Sequence, residues 1–455
     1  MEKGRYGLPT VIAMIVGIVI GSGIFFKSDN ILLAAGGSVP LGVAAFLLGG
    51  IGIVFGGLCL GELAARTEKP GGIIAYAEDL GGPPAAAVYG WFQVFIYLPA
   101  IITVVSYAVG LYACQLFGWG RNFGADDLFL LQMGIGMGFV LLCYVVNSLS
   151  ARLGGWFQNA AALCKLLPLL VVGICGLLFG QPASFFQAAS PAPAGGAGWL
   201  TAIAPIAFSF DGWAVAASIS SEVKHARRNL PLALVIAPVC ILLLYILYFV
   251  GISRYLGPET IMAGGDGHVE QAAIGLLGHS GGKVLLTVVL LSVMGTINGL
   301  VLGSIRLPYA LALRGLLPGS RILAREHPRL QMPLAAAGLA LAVSLIWSGF
   351  HIAAVRLHLL PNSDVSEVAV GLSYALYLAL YGQVFRLYRR GEVKGPLRGV
   401  IFPLLAAAGG ILVLSGTAHH RIFWPYAALC ILLLLAAAFY AKTRGRREGP
   451  GSASD

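Results

Sequence analysis

Twelve apolar stretches follow one another along this chain with little between them. They run over about 8–26, 39–63, 84–116, 128–148, 154–180, 200–222, 231–256, 283–312, 332–350, 366–386, 399–417 and 423–441. A helix needs roughly 20 apolar residues to cross the hydrocarbon of a bilayer, so each stretch is long enough to span one. What remains leaves no room for a soluble domain. The composition agrees: 58% of the 455 residues are hydrophobic and 11% are charged, whereas about a quarter of a water-soluble domain is charged. The 62 glycines are scattered through the apolar runs and not set in collagen triplets. The pattern predicts an all-α polytopic membrane protein with twelve transmembrane helices. The first stretch has no small-residue cleavage site and continues as a full span, so it reads as a helix and not as a signal peptide.

Charge placement gives an orientation. If all twelve stretches cross, only Lys27, Arg121, Arg254, Lys283, Arg356 and Arg421 lie on the side opposite the N-terminus, while Lys165 falls inside a span. Every other Lys and Arg shares the N-terminal side. The positive-inside rule then puts both termini in the cytoplasm. The net charge of +10 comes from those basic loops, such as Arg386, Arg389 and Arg390 or Lys442 to Arg447, and needs no nucleic-acid partner. Cys59, Cys114, Cys143, Cys164, Cys175, Cys240 and Cys430 lie in or beside apolar spans without a CxxC pair. They read as packing residues; no metal or cofactor is expected.

Irregular backbone survives in a bilayer only where protein or a water-filled cavity surrounds it, so glycine clusters inside spans mark candidate sites. The first span contains Gly17-Ile18-Val19-Ile20-Gly21-Ser22-Gly23-Ile24-Phe25. It reads either as a local unwinding around Ser22 or as a tightly packed small-residue face. The sixth span reads Pro205-Ile206-Ala207-Phe208-Ser209-Phe210-Asp211-Gly212-Trp213. A mid-span carboxylate costs on the order of 3 kcal/mol on insertion scales, and a glycine follows it, which points to a second break. Interruptions in spans one and six occupy corresponding places in two halves of a ten-span set, the sequence sign of an inverted-repeat transporter. Unwinding at Ser22 and Gly23 frees N–H donors suited to a carboxylate, and unwinding around Phe208–Asp211 frees carbonyls suited to an ammonium. Facing each other, the two describe an α-amino acid.

Lys165 is the third signal. It stands about eleven residues into span five, or roughly 16 Å deep at 1.5 Å per residue, beyond the reach of a snorkelling side chain. An ammonium there needs carbonyls, a carboxylate or deprotonation. It reads as a built-in cation where another transporter binds sodium, as a proton carrier, or as a lysine in a wet packing defect.

These residues resemble the amino acid–polyamine–organocation superfamily, and within it the L-type amino acid transporter branch. Ile20-Gly21-Ser22-Gly23-Ile24-Phe25 is similar to that family's first-helix signature. Glu62 through Pro70-Gly71-Gly72-Ile73-Ile74-Ala75-Tyr76 resembles the loop after its second helix. Phe208 to Trp213, Glu222 and Arg228-Asn229-Leu230-Pro231 resemble its sixth helix and the following loop, and Gly295-Thr296-Ile297-Asn298-Gly299 with Arg306 its eighth. The resemblance implies the leucine-transporter fold: a core over 1–386 built from two inverted five-helix repeats (about 8–180 and 200–386), two additional helices over 387–442, and a cytoplasmic tail over 443–455. Helices one and six would be broken at mid-membrane. It implies that Ser22, Gly23 and Ile24 meet the substrate carboxylate, that the backbone from Phe208 through Ser209 to Asp211 meets the amine, and that Phe208, with Trp213, gates the pocket. Lys165 would stand in for a sodium ion. Animal members of the branch hold a heavy chain through a cysteine between spans three and four, but Gly118–Asp127 contains none, so no disulfide-linked partner is expected. Asp211 resembles the aspartate of members that accept cationic as well as neutral amino acids, and it reads equally as a helix N-cap.

The expected function is sodium-independent amino acid exchange by alternating access, in what reads by composition as a bacterial inner membrane. A proton-coupled amino acid or polyamine carrier and a sensor without turnover remain open. An enzyme is excluded by missing motifs: no serine-nucleophile elbow surrounds Ser22 and no HExxH occurs. Glu62, Arg66 and Glu222, with Arg306, read as inner-gate ion pairs or solvated helix ends. His268, His279, His351, His358, His419 and His420 are expected on outer surface loops.

Overall fold

The computed structural model of the chain describes residues 7–21, 23–67, 72–149, 165–181, 198–213, 223–330, 332–360 and 363–447. They are helical, with turns between. In chain order, the N-terminal part comprises α1 (Leu8–Val19), α2 (Gly23–Phe26), α3 (Ser28–Ala34), α4 (Val39–Ala64), α5 (Ile73–Phe92), α6 (Leu98–Phe117), α7 (Ala125–Leu149), α8 (Leu166–Phe179) and α9 (Ile203–Ser209). The rest comprises α10 (Ala226–Leu256), α11 (Pro258–Gly264), α12 (His268–Leu313), α13 (Ser320–Leu323), α14 (Leu334–Arg356), α15 (Val365–Arg389), α16 (Phe402–Ala418) and α17 (Phe423–Arg447). Single π-helical turns join α5 to α6 and lead into α16.

Among the described residues, nine helical segments are long and apolar enough to cross a membrane. The other three expected spans correspond to the shorter helices α1, α8 and α9. Their neighbours 22, 150–164 and 214–222 lie outside the described residues. Two helices start before the apolar stretch expected to cross. The third stretch is preceded by a helical segment from Ile73 that kinks at Gly81 and Gly82, just before Pro83 and Pro84. Proline has no N–H to give and its ring crowds the preceding turn, so the helix bends where the apolar count starts. The eighth is likewise preceded by a helical segment from His268, bent at Gly278.

Helix packing places the site. α1 packs along α10, which also packs on α4 and α8, and α6 lies between α7 and α12. Small residues allow close approach in lipid, where water gives no push between helices: a Cβ on Gly52 of α4 would lie 2.9 Å from the Cα of Gly409 on α16. The outward faces of α16 and α17 stay apolar, with Leu404, Ile411, Trp424, Leu432 and Phe439 exposed, as a lipid-facing surface requires.

Candidate substrate site

The site is built where two helices stop. α1 ends at Val19, Ile20 is extended, and helix resumes at Gly23. The last four carbonyls of any helix lack an internal donor. Here the Ile20 N–H reaches Val16 O at 2.9 Å, and side chains serve two of the others. Lys165 Nζ donates to Gly17 O at 2.7 Å and to Thr296 Oγ1 at 3.1 Å. The Tyr245 hydroxyl approaches Val19 O at 3.3 Å and donates to Ser209 O, the end of α9, at 2.9 Å. One ammonium therefore lies at the negative end of α1, and one phenol ties the ends of α1 and α9 together.

The two ends also touch directly. A Cβ on Gly23 would lie 2.6 Å from the Cα of Ser209, and one on Gly21 2.9 Å from Thr296 Oγ1. Only glycine fits such a backbone contact. After α9 the chain turns through Asp211 and Gly212, whose φ of +93° lies in the region that disfavours a side chain. The Asp211 carboxylate accepts from the Tyr97 hydroxyl and from the Gly212 N–H.

A cavity of about 460 Å³ opens at this junction. Its upper end is formed by Gly21, Gly23, Phe208, Ser209 and Asp211, and its wall by Tyr97, Ile101, Val105 and Leu300. It runs past Lys165 and Thr296 along α1 to Thr10, in the first turn of the chain's first helix. Beyond Phe208 the path is closed. Ile24, Phe25 and Phe26 are buried, and the Phe26 ring meets that of Phe208 edge-on at 5.9 Å. Lys27 pairs with Asp364 at 2.6 Å and with Glu367, and its Nζ lies 5.3 Å from the Phe208 ring centroid. Asp364 is also the N-cap of α15, accepting from Ser366 N at 2.9 Å, so the pair is anchored at a helix start.

The expected residues are thus distributed unevenly. Gly23, Phe208, Ser209 and Asp211 line the cavity with Lys165. Ile24 is fully buried and contributes no lining surface, and Trp213 packs edge-on against Tyr377 at 5.9 Å. Ser22 and Glu222 lie outside the described residues. Glu62 pairs with Arg66 at 2.6 Å and with Arg398 at 3.6 Å, while Arg66 also donates to Glu392 O at 3.1 Å. This network joins the end of α4 to the segment after α15. Arg306 is exposed. Two histidines expected on the surface are buried instead. α14 continues to Arg356, which places His351 inside a packed helix, and His268 opens the first segment of α12. Lys27, placed by its charge on the side opposite the N-terminus, and Asp364 and Glu367 carried no expected site role. A lysine directly after the first apolar stretch was the available signal.

An apolar cavity where two helices end, with a buried lysine beside it, is similar to the sites that membrane transporters build at interrupted helices. Comparison with known proteins gives the family. The amino acid permease family matches residues 6–450. The serine/threonine exchanger SteT of Bacillus subtilis is 30% identical over 420 residues, covering 91% of each chain. The b(0,+)-type amino acid transporter 1 of Mus musculus is 25% identical over 453 residues, covering 95% of this chain and 86% of that one. The cystine/glutamate transporter of Homo sapiens is 27% identical over 412 residues, covering 88% and 77%. The chain belongs to the amino acid permease family: it is a multi-pass membrane transporter and not an enzyme.

Proposed function

We propose that the protein is a sodium-independent exchanger of neutral α-amino acids, captured with its cavity open toward the side of its termini. The observation that carries this reading is Lys165 Nζ on the Gly17 carbonyl, at the interrupted end of α1 and against the cavity. A fixed positive charge there does what a bound sodium ion would do, holding the helix end in place, and leaves no need for one. Gly23, with Ser22 and Ile24, offers backbone donors to the substrate carboxylate. The end of α9 from Phe208 to Asp211 offers acceptors to the amine, with Phe208 as the lid. Asp211 reads the side chain, its carboxylate admitting cationic substrates beside the neutral ones. The exchanger named among the relatives supports small neutral substrates and antiport.

In this reading twelve helices span the membrane in the leucine-transporter arrangement. The core covers 1–386, two further helices follow over 387–442, and the tail covers 443–455. Spans one and six are broken at mid-membrane, and both termini are cytoplasmic in a bacterial inner membrane. The Lys27 ion pairs close the outer side, and the Glu62–Arg66–Arg398 network, with Glu222 and Trp213, belongs to the inner one. The chain works without a disulfide-linked partner.

The experiment is thermal stabilisation of the purified protein by matched ligands. Serine or threonine at millimolar concentration raises the Tm, whereas the same molecules lacking the amine or the carboxylate do not. Equal stabilisation by the decarboxylated amine would refute the paired carboxylate and amine sites.

A further inference from the structure

Beyond Phe208, on the side away from the cavity, the protein buries more negative charge than it balances. Asp29, Asp364 and Glu367 are 6%, 7% and 1% exposed, and the ammonium among them, Lys27, is 1% exposed. Lys27 is committed to Asp364 and Glu367. The next basic group, His420, stands 3.7 Å from Glu367. Among the described residues no basic side chain forms an ion pair with Asp29, and Lys27 and His268 act on it only at longer range.

Its surroundings form a closed polar cluster. α3 packs on α11 and on the 265–267 turn. The Asp29 carboxylate lies within electrostatic reach of Asp266, His268, Tyr107, Tyr112 and Tyr248. Tyr107 donates to Asp266 at 2.9 Å, and the Gln115 amide donates to the Asp266 carbonyl at 3.1 Å. Among the described residues, Asp29 Oδ1, His268 Nε2 and the hydroxyls of Tyr112 and Tyr248 are shut from solvent without a hydrogen-bond partner. His268 Nδ1 faces Gly265 O at 2.6 Å. A carbonyl only accepts, so Nδ1 carries a hydrogen, and Nε2 is the ring position left without a partner. An unpartnered carboxylate oxygen and an unpartnered ring nitrogen therefore share one region with a second carboxylate.

We propose that this cluster is a proton site, and that closing the outer side traps one proton among Asp29, His268 and Asp266. The proton arrives from water, settles on a bare acceptor and cancels the charge that burial would leave unpaired. When the outer side opens, water reaches the carboxylates, both are ionised and the proton departs. Closure binds the proton and opening releases it, so acid favours the closed outer side. One proton changes the closed-to-open ratio by at most about tenfold per pH unit. From beyond Lys27, His351, Asp364, Glu367 and His420 complete the titratable surroundings. The site rests on the alternating-access reading above.

The reporter is Ser28→Cys, a one-atom change at a fully buried side chain between Lys27 and Asp29. Right-side-out vesicles carrying the full chain are treated with an impermeant methanethiosulfonate in sodium-free buffer, from about pH 5 to about pH 7.5. Labelling above that of the chain with Ser28 intact is divided by the rate for free cysteine at each pH. The normalised rate falls on acidification, several-fold per unit and no more than about tenfold. His268→Gln and Asp29→Asn, on separate elements, each flatten the curve to less than about twofold over the range, because the shared proton is lost. His420 is unchanged in both, so its own titration cancels in the comparison. A flat curve in the parent, or an unchanged slope in both variants, overturns the proton site alone. Closure driven by sodium at fixed pH gives the site to an alkali ion and overturns it as well. A cysteine at 28 that never reacts refutes outward opening itself, and the proton site with it.

Discussion

Replacing Lys165 with Met keeps the length of the side chain and removes its charge. The loss falls on two contacts of unequal worth. Thr296 Oγ1, 3.1 Å from Nζ, also donates to Ser292 O at 3.2 Å, so it keeps a partner. Gly17 O, at 2.7 Å, is a helix-end carbonyl whose donor is the ammonium. A hydrogen bond to a charged group contributes roughly 1.5–3 kcal/mol, which corresponds to about tenfold to somewhat over a hundredfold in an equilibrium. Removing a buried charge also relieves its desolvation, so the fold itself is not expected to weaken. Lys165→Met therefore melts within a few degrees of the parent, while amino acid exchange at sub-saturating substrate drops about tenfold to a hundredfold. The assay is labelled-substrate flux into preloaded proteoliposomes, with the Tm of the same preparation. Parent-level flux in a well-folded variant would refute the role of the fixed charge. A collapse in Tm would instead make Lys165 a packing residue.

Three other substitutions probe separate joints. Gly23→Ala places a methyl 2.6 Å from the Cα of Ser209, an overpacking cost of about 1–3 kcal/mol; it lowers the Tm and abolishes ligand stabilisation, and parent-like binding contradicts the close contact. Lys27→Met leaves Asp364 and Glu367 buried without their cation. Breaking such a pair costs about 3–5 kcal/mol, so the outer side opens, and impermeant thiol labelling of Ser28→Cys rises by more than tenfold; unchanged labelling removes Lys27 from the closure. Asp211→Asn keeps an acceptor for the Tyr97 hydroxyl and removes the charge. Lysine or arginine flux falls more than serine flux, and an equal loss for both assigns Asp211 to local capping.

Some of this was legible along the chain because it is local. The glycines at 21 and 23 lie just past the end of α1, and Lys165 announced itself through an ammonium set far from any span end. The helical segment from Ile73 was hidden because the apolar run begins only near Pro84, after the kink at Gly81 and Gly82 that bends the helix without ending it. The ion pairs beyond Phe208 were hidden for a different reason. Lys27 meets partners more than three hundred residues away, and one lysine after an apolar run looks like any interfacial anchor. His268 and His351 were misplaced with it, since burial between helices depends on packing partners that periodicity does not name. Electrostatic pairs between segments far apart in the chain are tertiary facts.

The central claim is exchange without sodium, and one flux experiment tests it most directly. Purified protein is reconstituted in proteoliposomes in sodium-free buffer, with labelled serine or threonine outside and either unlabelled amino acid or none inside. Uptake into loaded vesicles and none above background into empty ones is the predicted result. A sodium requirement for uptake into loaded vesicles would contradict the assignment of Lys165 as the fixed cation, and equal uptake into empty vesicles would contradict exchange.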